Sequence, residues 1–216
     1  MASIGVNEIF FILQGLKWTV LLALIGFIGG GVFGIVIALA RSSANATARA
    51  ASAGYIALLQ GTPLLMQLFV VYYGVALIGI NVDAWLAVAI AFTLHASAFL
   101  GEIWRGSIQA VPKGQTEAAS ALGLHYVSRM KDVVLPQALK ISMPATIGFL
   151  VQLIKGTSLA AIVGFIELAR AGQIVSNQTY RPLLVFGIVG VIYFIICWPL
   201  SHFGAGLEKR MAKATR

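Results

Sequence analysis

Long stretches of this chain carry no charge, and the polar clusters between them cut it into pieces of membrane length. Residues 19–40 run uncharged between Lys17 and Arg41, matching the roughly 20 apolar residues that cross a hydrocarbon layer about 30 Å thick. Residues 50–82 are again uncharged but exceed one crossing, and Gln60-Gly61-Thr62-Pro63 interrupts them. The pattern predicts a second span over 53–79 with a bend at Pro63, where the ring removes a helix hydrogen bond. Asn81-Val82-Asp83 forms a turn into a third span, 84–101, which Glu102 and Arg105 end. The stretch 141–169 is too long for one upright crossing and holds Lys155-Gly156-Thr157-Ser158 in its middle. Charge and irregular backbone at membrane depth survive only against protein or a water-filled cavity. A fourth span over 141–156, a break, and a short re-entrant or surface helix over 158–171 follow from that rule. Residues 183–203 make the fifth span.

Composition agrees with this class. The 216 residues are 59% hydrophobic and 10% charged, against about 25% charged in soluble domains. The expected architecture is one all-α integral membrane domain over 1–216. The apolar N-terminal run has neither a basic leader nor a small-residue cleavage site before it, so it is expected to be a retained span. Cys197 is the chain's one cysteine, which excludes an internal disulfide and suits packing. No metal site is expected.

The net charge of +8 could indicate nucleic acid, but its placement points elsewhere. Arg41 and Arg49 lie in the first connection, Arg105, Lys113, Arg129, Lys131 and Lys140 in the third, and Lys209, Arg210, Lys213 and Arg216 in the tail. These 11 of 15 basic residues fall on one side only with five crossings, the N-terminus outside and the C-terminus inside. Topology thus accounts for the charge without a nucleic-acid partner.

The third connection, 106–140, is long for a helix–helix loop, and such loops are commonly functional. Pro112-Lys113-Gly114 breaks the preceding helix, and Gln115 to Leu122 are good helix formers. Gly123 is placed to cap them in a left-handed conformation. A second helical piece over 125–132 follows, and Leu135-Pro136 then restarts the chain. Small side chains at Ala118, Ala119 and Ala121 would let another protein approach the backbone closely, with Glu117 offering a charge for register.

The spacing Glu117-Ala118-Ala119, three residues, Gly123, nine residues, Val133, one residue, Leu135-Pro136 resembles the EAA loop of ATP-binding-cassette importer permeases. Val133 stands where that family usually has isoleucine. "GTPLLMQLF" (61–69), "EIWRGSIQAVPKGQTEAASALGL" (102–124), "LPQAL" (135–139), "KGTSLAAIVG" (155–164) and "ELARAGQ" (167–173) are similar to the polar amino-acid uptake branch. The resemblance implies a permease subunit of an ATP-driven amino-acid importer in the bacterial inner membrane. Glu117, Ala118, Ala119, Ser120, Ala121, Leu122 and Gly123 would form the helix that docks on a separate ATPase dimer. It further implies a second identical or homologous permease and an extracytoplasmic solute-binding protein. ATP and Mg would be bound by the ATPase partner. In agreement, the chain has no G-x-x-x-x-G-K-[ST] phosphate loop, so it is expected to need no cofactor of its own and not to be an enzyme.

Polar residues within spans are candidates for the substrate path. They are Gln60, Thr62, Pro63 and Gln67 at the bend, His95 and Ser97 in the third span, Glu102 at its end, and Lys155, Thr157 and Ser158 at the later break. Each has a structural alternative: hydrogen bonding between helices for the bend residues, packing for His95, and pairing with Glu102 or Glu167 for Lys155. Gly26, Gly30 and Gly34 form a ridge for close helix packing. Compared with the family's usual pattern, Gln60 replaces an arginine, Ser107 a glycine, and Gly148-Phe149 an asparagine followed by a polar or acidic residue. The last change removes a carboxylate from a subunit that would carry a cationic substrate alone. A competing function is an ion or proton channel, or a membrane-assembly subunit, with Lys155, Glu102 and Glu167 as a relay.

Overall fold

The computed structural model describes residues 4–214, all of whose regular elements are helical. Arg216 and the side chain of Lys213, both named above, lie outside the described part. Helix α1 is Val6–Ser42, α2 Ala46–Gln60, and α3 Leu64–Leu77, the last containing a π stretch over Val70–Gly74. Helix α4 is Ala84–Gln109 and α5 Lys113–Ala121. Helix α6, Tyr126–Val163, joins a π stretch (Arg129–Val134), an α-helix (Leu135–Gly156) and a 3-10 turn (Thr157–Val163). Helices α7 (Leu168–Thr179) and α8 (Pro182–Ala214) complete the chain.

Among the described residues four helices, α1, α4, α6 and α8, are long and apolar enough to cross a membrane, and a fifth crossing exists if α2 and α3 count as one broken span. That pair corresponds to the predicted second span over 53–79 with its bend at Pro63. The bend falls where expected but turns the chain by 101°, because Pro63 adopts extended backbone as the N-cap of α3. Gln67 stabilises the corner by donating from Nε2 to the carbonyls of Leu59 (2.6 Å) and Thr62 (3.0 Å).

Other boundaries also moved, for identifiable reasons. Helix α1 starts well before residue 19, since Gln14, Gly15 and Lys17 do not interrupt a helix whose Gly15 is buried against α7. Helix α4 continues past 101 to Gln109, because Glu102 and Arg105 form an i,i+3 ion pair on its surface. Leu135-Pro136 does not restart the chain: the helix begun at Tyr126 runs straight through it. The preceding π stretch widens the ring at Pro136, which has no N–H to donate. At the break expected over 155–158 the α-helix ends at Gly156, but the chain continues as a 3-10 turn and changes direction only at Gly164, with φ +84°. Thr157 stays helical, its Oγ1 donating to the carbonyl of Ile154 at 2.7 Å. The short helix therefore covers Leu168–Thr179 rather than 158–171, and α8 extends beyond 203.

Close packing of α1 on α4 organises the bundle. A Cβ on Gly30 would stand 2.3 Å from Cβ of Ala96, and one on Gly26 would stand 2.9 Å from Cβ of Phe92. Only glycine allows the backbones this near, so the predicted ridge is an interface. The main core, including Leu22, Leu68, Phe92, Leu100, Phe149 and Leu153, lies between α1, α3, α4 and α6. Cys197 is buried with Ala23, Val151 and Ile154.

Candidate functional site

The docking candidate is α5 with the turn that follows. Ala119, the buried residue of α5, faces the bundle, where Val111, Val134 and Ala138 form a small core. Gly123 has φ +78°, its N–H donates to Ser120 (3.0 Å), and the N–H of Leu124 donates to Ala119 (3.1 Å). These bonds are a Schellman cap. The cap turns the chain sharply and pushes Leu122 outward, 81% exposed, beside Tyr126 and Val127, which are 59% and 64% exposed. Glu117, Ala118, Ser120 and Ala121 share this exposure. Arg129 donates to Ser120 Oγ and covers the Tyr126 ring, and Gln137 Nε2 donates to Gln115 Oε1 at 3.3 Å.

The path candidates separate into two groups. Gln67, His95, Ser97 and Thr157 are buried and satisfied within the subunit. Gln67 Oε1 lies 3.1 Å from His95 Nδ1, and the His95 ring is 4.5 Å from that of Phe99, which stacks on Phe149. Ser97 Oγ is 2.6 Å from the Tyr55 hydroxyl. Glu102 is bound by Arg105. Gln60, Thr62 and Pro63 sit at the α2–α3 corner, with Gln60 and Pro63 exposed and Gln60 Nε2 reaching the carbonyl of Ala98 at 3.4 Å. Lys155 is exposed, and Ser158, half-buried, donates to its carbonyl.

Helix α6 adds Ala145 and Gln152, which the sequence reading missed, beside Gly148 and Lys155, which it named. Ala145, Gly148, Gln152 and Lys155 are all exposed, and their spacing of 3, 4 and 3 places them on one face. The available signal was Gln152, a lone amide one turn before Lys155 in an apolar run. Charged side chains at membrane depth as a rule face protein or a water-filled cavity. The corner bearing Gln60 and Thr62 abuts the end of this face, since a Cβ on Gly156 would stand 3.4 Å from Leu64.

Glu167 is fully buried but does not meet Lys155. It caps α7 by accepting from the N–H groups of Ala169 and Arg170, both at 2.8 Å. Thr19 and Tyr193 hydroxyls donate to the same carboxylate at 3.4 and 3.2 Å. Burial pushes its carboxyl above the usual range, against the lowering effect of those donors. Lys155, Glu102 and Glu167 therefore form no relay: each acid has other partners, and the ion pair among the described residues is Glu102–Arg105. No cluster of His, Cys, Asp or Glu among the described residues could hold a metal.

Residues 30–213 match the model of the binding-protein-dependent transport system inner membrane component family. The chain belongs to this family of ATP-binding-cassette permeases. The permease is 35% identical over 210 residues to the probable amino-acid ABC transporter permease protein YckA of Bacillus subtilis, covering 97% of this chain and 93% of that protein. It is 37% identical to the putative glutamine transport system permease protein GlnP of Rickettsia conorii, over 94% of each chain. A crystal structure of an amino acid ABC transporter with histidines superposes with a TM-score of 0.89 at 33% identity, covering 95% of this chain and 96% of that one. The permease is thus a multi-pass inner-membrane transport subunit whose relatives are amino-acid transporter permeases.

Proposed function

We propose that this permease forms half of an alternating-access path and receives mechanical work from a separate ATPase dimer seated on α5. The observation that carries the reading is the exposed apolar tip, Leu122 with Tyr126 and Val127, held outward by a left-handed glycine cap. It stands at the end of the bundle where α1, α4 and α8 deliver Arg41, Arg105, Lys209 and Arg210. The basic residues make this the cytoplasmic end, with the N-terminus outside and the C-terminus inside. ATP and Mg belong to the partner subunits, and this chain performs no chemistry. A second permease, identical or homologous, faces the stripe Ala145, Gly148, Gln152 and Lys155 across the path. An external solute-binding protein delivers the amino acid to the opposite end.

At the path, Lys155 supplies an ammonium for the substrate carboxylate, and Gln152 and Gln60 supply amides for its orientation. None of the described acidic side chains lies on this stripe, which disfavours a cationic substrate bound by this subunit alone.

The test is reconstitution of the permease with its ATPase and partner permease in liposomes, measuring hydrolysis and uptake with and without amino-acid-loaded binding protein. Stimulated hydrolysis together with uptake is expected. Hydrolysis that ignores every loaded binding protein, with no uptake, would refute the reading. Conductance across a planar bilayer by the isolated permease would favour a channel instead.

A further inference from the structure

A groove of about 530 Å³ opens at the basic end of the bundle between α1, α4 and α6, away from the polar stripe. Its walls include Leu39, Trp104, Ile108, Leu135 and Leu139, and Lys131 stands among them. We propose that this groove is a binding site for an anionic membrane phospholipid, with an acyl chain along the leucines and the phosphate at Lys131.

The chemistry of the lining selects this occupant. Its polar atoms other than the Lys131 ammonium are already used: Trp104 Nε1 donates to Thr146 Oγ1 at 3.2 Å, and Ser142 Oγ donates to the carbonyl of Leu139 at 2.9 Å. What remains is an apolar trough with one cation, complementary to a molecule with an apolar tail and a negative head. Lys131 makes no ion pair among the described residues. Arg41 follows Ala38, a wall residue, by one turn of α1, and its Nε is buried with no hydrogen-bond partner. No acidic side chain among the described residues lines the groove.

The geometry also separates this groove from the permease–permease path. Leu135, Leu139 and Ser142 lie roughly a third of a turn around α6 from Gly148 and Gln152, at 3.6 residues per turn. Leu39 and Leu139 are 50% and 66% exposed, an expense in water but ordinary for a surface that meets acyl chains. The volume falls in the range of small-molecule pockets. The site does not depend on the transport reading or on which leaflet this end occupies.

The experiment uses the whole transporter, permease with its ATPase subunits, purified in detergent and titrated with phosphatidylglycerol or phosphatidylcholine of identical acyl chains. Retained lipid is read by native mass spectrometry. The wild type should retain phosphatidylglycerol in preference. Lys131→Gln should lower that preference about fivefold, the scale of one cation near anionic lipid. Leu139→Trp, at an exposed position that tolerates bulk, should fill the trough and reduce retention of both lipids. Lys140→Gln, which removes a neighbouring cation outside the groove, should match the wild type. The proposal is overturned by equal retention of the two lipids, by Lys140→Gln acting as strongly as Lys131→Gln, or by unchanged retention in Leu139→Trp. In vesicles, brominated phosphatidylglycerol should quench fluorescence that is lost in Trp104→Phe. Absence of that component means that protein covers the groove and also overturns the proposal.

Discussion

Leu122→Ala tests whether the exposed tip of the α5 turn is a docking surface. The side chain is 81% exposed in the permease, so its truncation removes little from the subunit's own core. Its backbone N–H still donates to the carbonyl of Ala118 at 3.1 Å, so the cap survives. If the leucine enters a groove on the ATPase, truncation deletes about three buried methylene-sized groups at roughly 0.8 kcal/mol each, or about 2 kcal/mol. That corresponds to about a 30-fold rise in Kd. The assay is titration of the purified ATPase subunit against the permease in nanodiscs, with the melting temperature of the permease measured in parallel. Leu183→Ala is the control, since Leu183 is 91% exposed at the start of α8, far along that helix from the basic end. An unchanged Kd for Leu122→Ala would refute the docking assignment. So would an equal loss of affinity in Leu183→Ala, because the effect would then follow exposed leucine in general.

Gly30→Val should lower the melting temperature sharply in detergent, since even its Cβ would stand 2.3 Å from that of Ala96 and overpacking costs about 1–3 kcal/mol or more. A fully stable variant would contradict the α1–α4 interface. Glu167→Ala should cost about 1 kcal/mol for the lost cap and more for the stranded hydroxyls of Thr19 and Tyr193; an unchanged melting temperature would remove Glu167 as the tie between α1, α7 and α8. Lys155→Met should reduce amino-acid uptake in vesicles at least about tenfold, the loss of roughly one charge-assisted hydrogen bond, while ATPase binding at α5 stays unchanged. Uptake at the wild-type rate would exclude Lys155 from the path.

Features of the fold set by local chemistry were legible in the chain. The uncharged runs marked the apolar helices, the glycine spacing marked the α1–α4 contact, and Gly123 marked its own left-handed cap. The boundaries were less legible, because a charged residue does not end a helix when its partner is one turn away, as Glu102 and Arg105 show. Nor does a proline end one when a π stretch absorbs it, as at Pro136. Position around a helix was the other hidden quantity. Gln67 and Gln60 look equivalent in sequence, yet Gln67 is buried in a network with His95 and Gln60 lies at the surface. Which polar residue turned inward depended on the 101° corner at Pro63 and on the core that α3 joins with α4 and α6.

If the ATPase docks at α5 as proposed, the ties of α5 to the rest of the chain set how that work reaches Lys155. Both side-chain hydrogen bonds described between α5 and the rest of the chain go to α6: Arg129 to Ser120, and Gln137 to Gln115. Helix α6 then runs without a break to Val163, so the 26 residue steps from Arg129 to Lys155 span about 39 Å at 1.5 Å per step. A displacement of α5 is therefore a displacement of the helix that bears the polar stripe. Its regular hydrogen-bond ladder is altered at the π stretch Arg129–Val134 and at Pro144. Removing both ties in Arg129→Ala with Gln137→Ala should leave Leu122 free to dock but loosen the grip of α5 on α6. ATPase binding should persist while uptake per ATP hydrolysed falls. An unchanged ratio of uptake to hydrolysis would show that force reaches the path by another route.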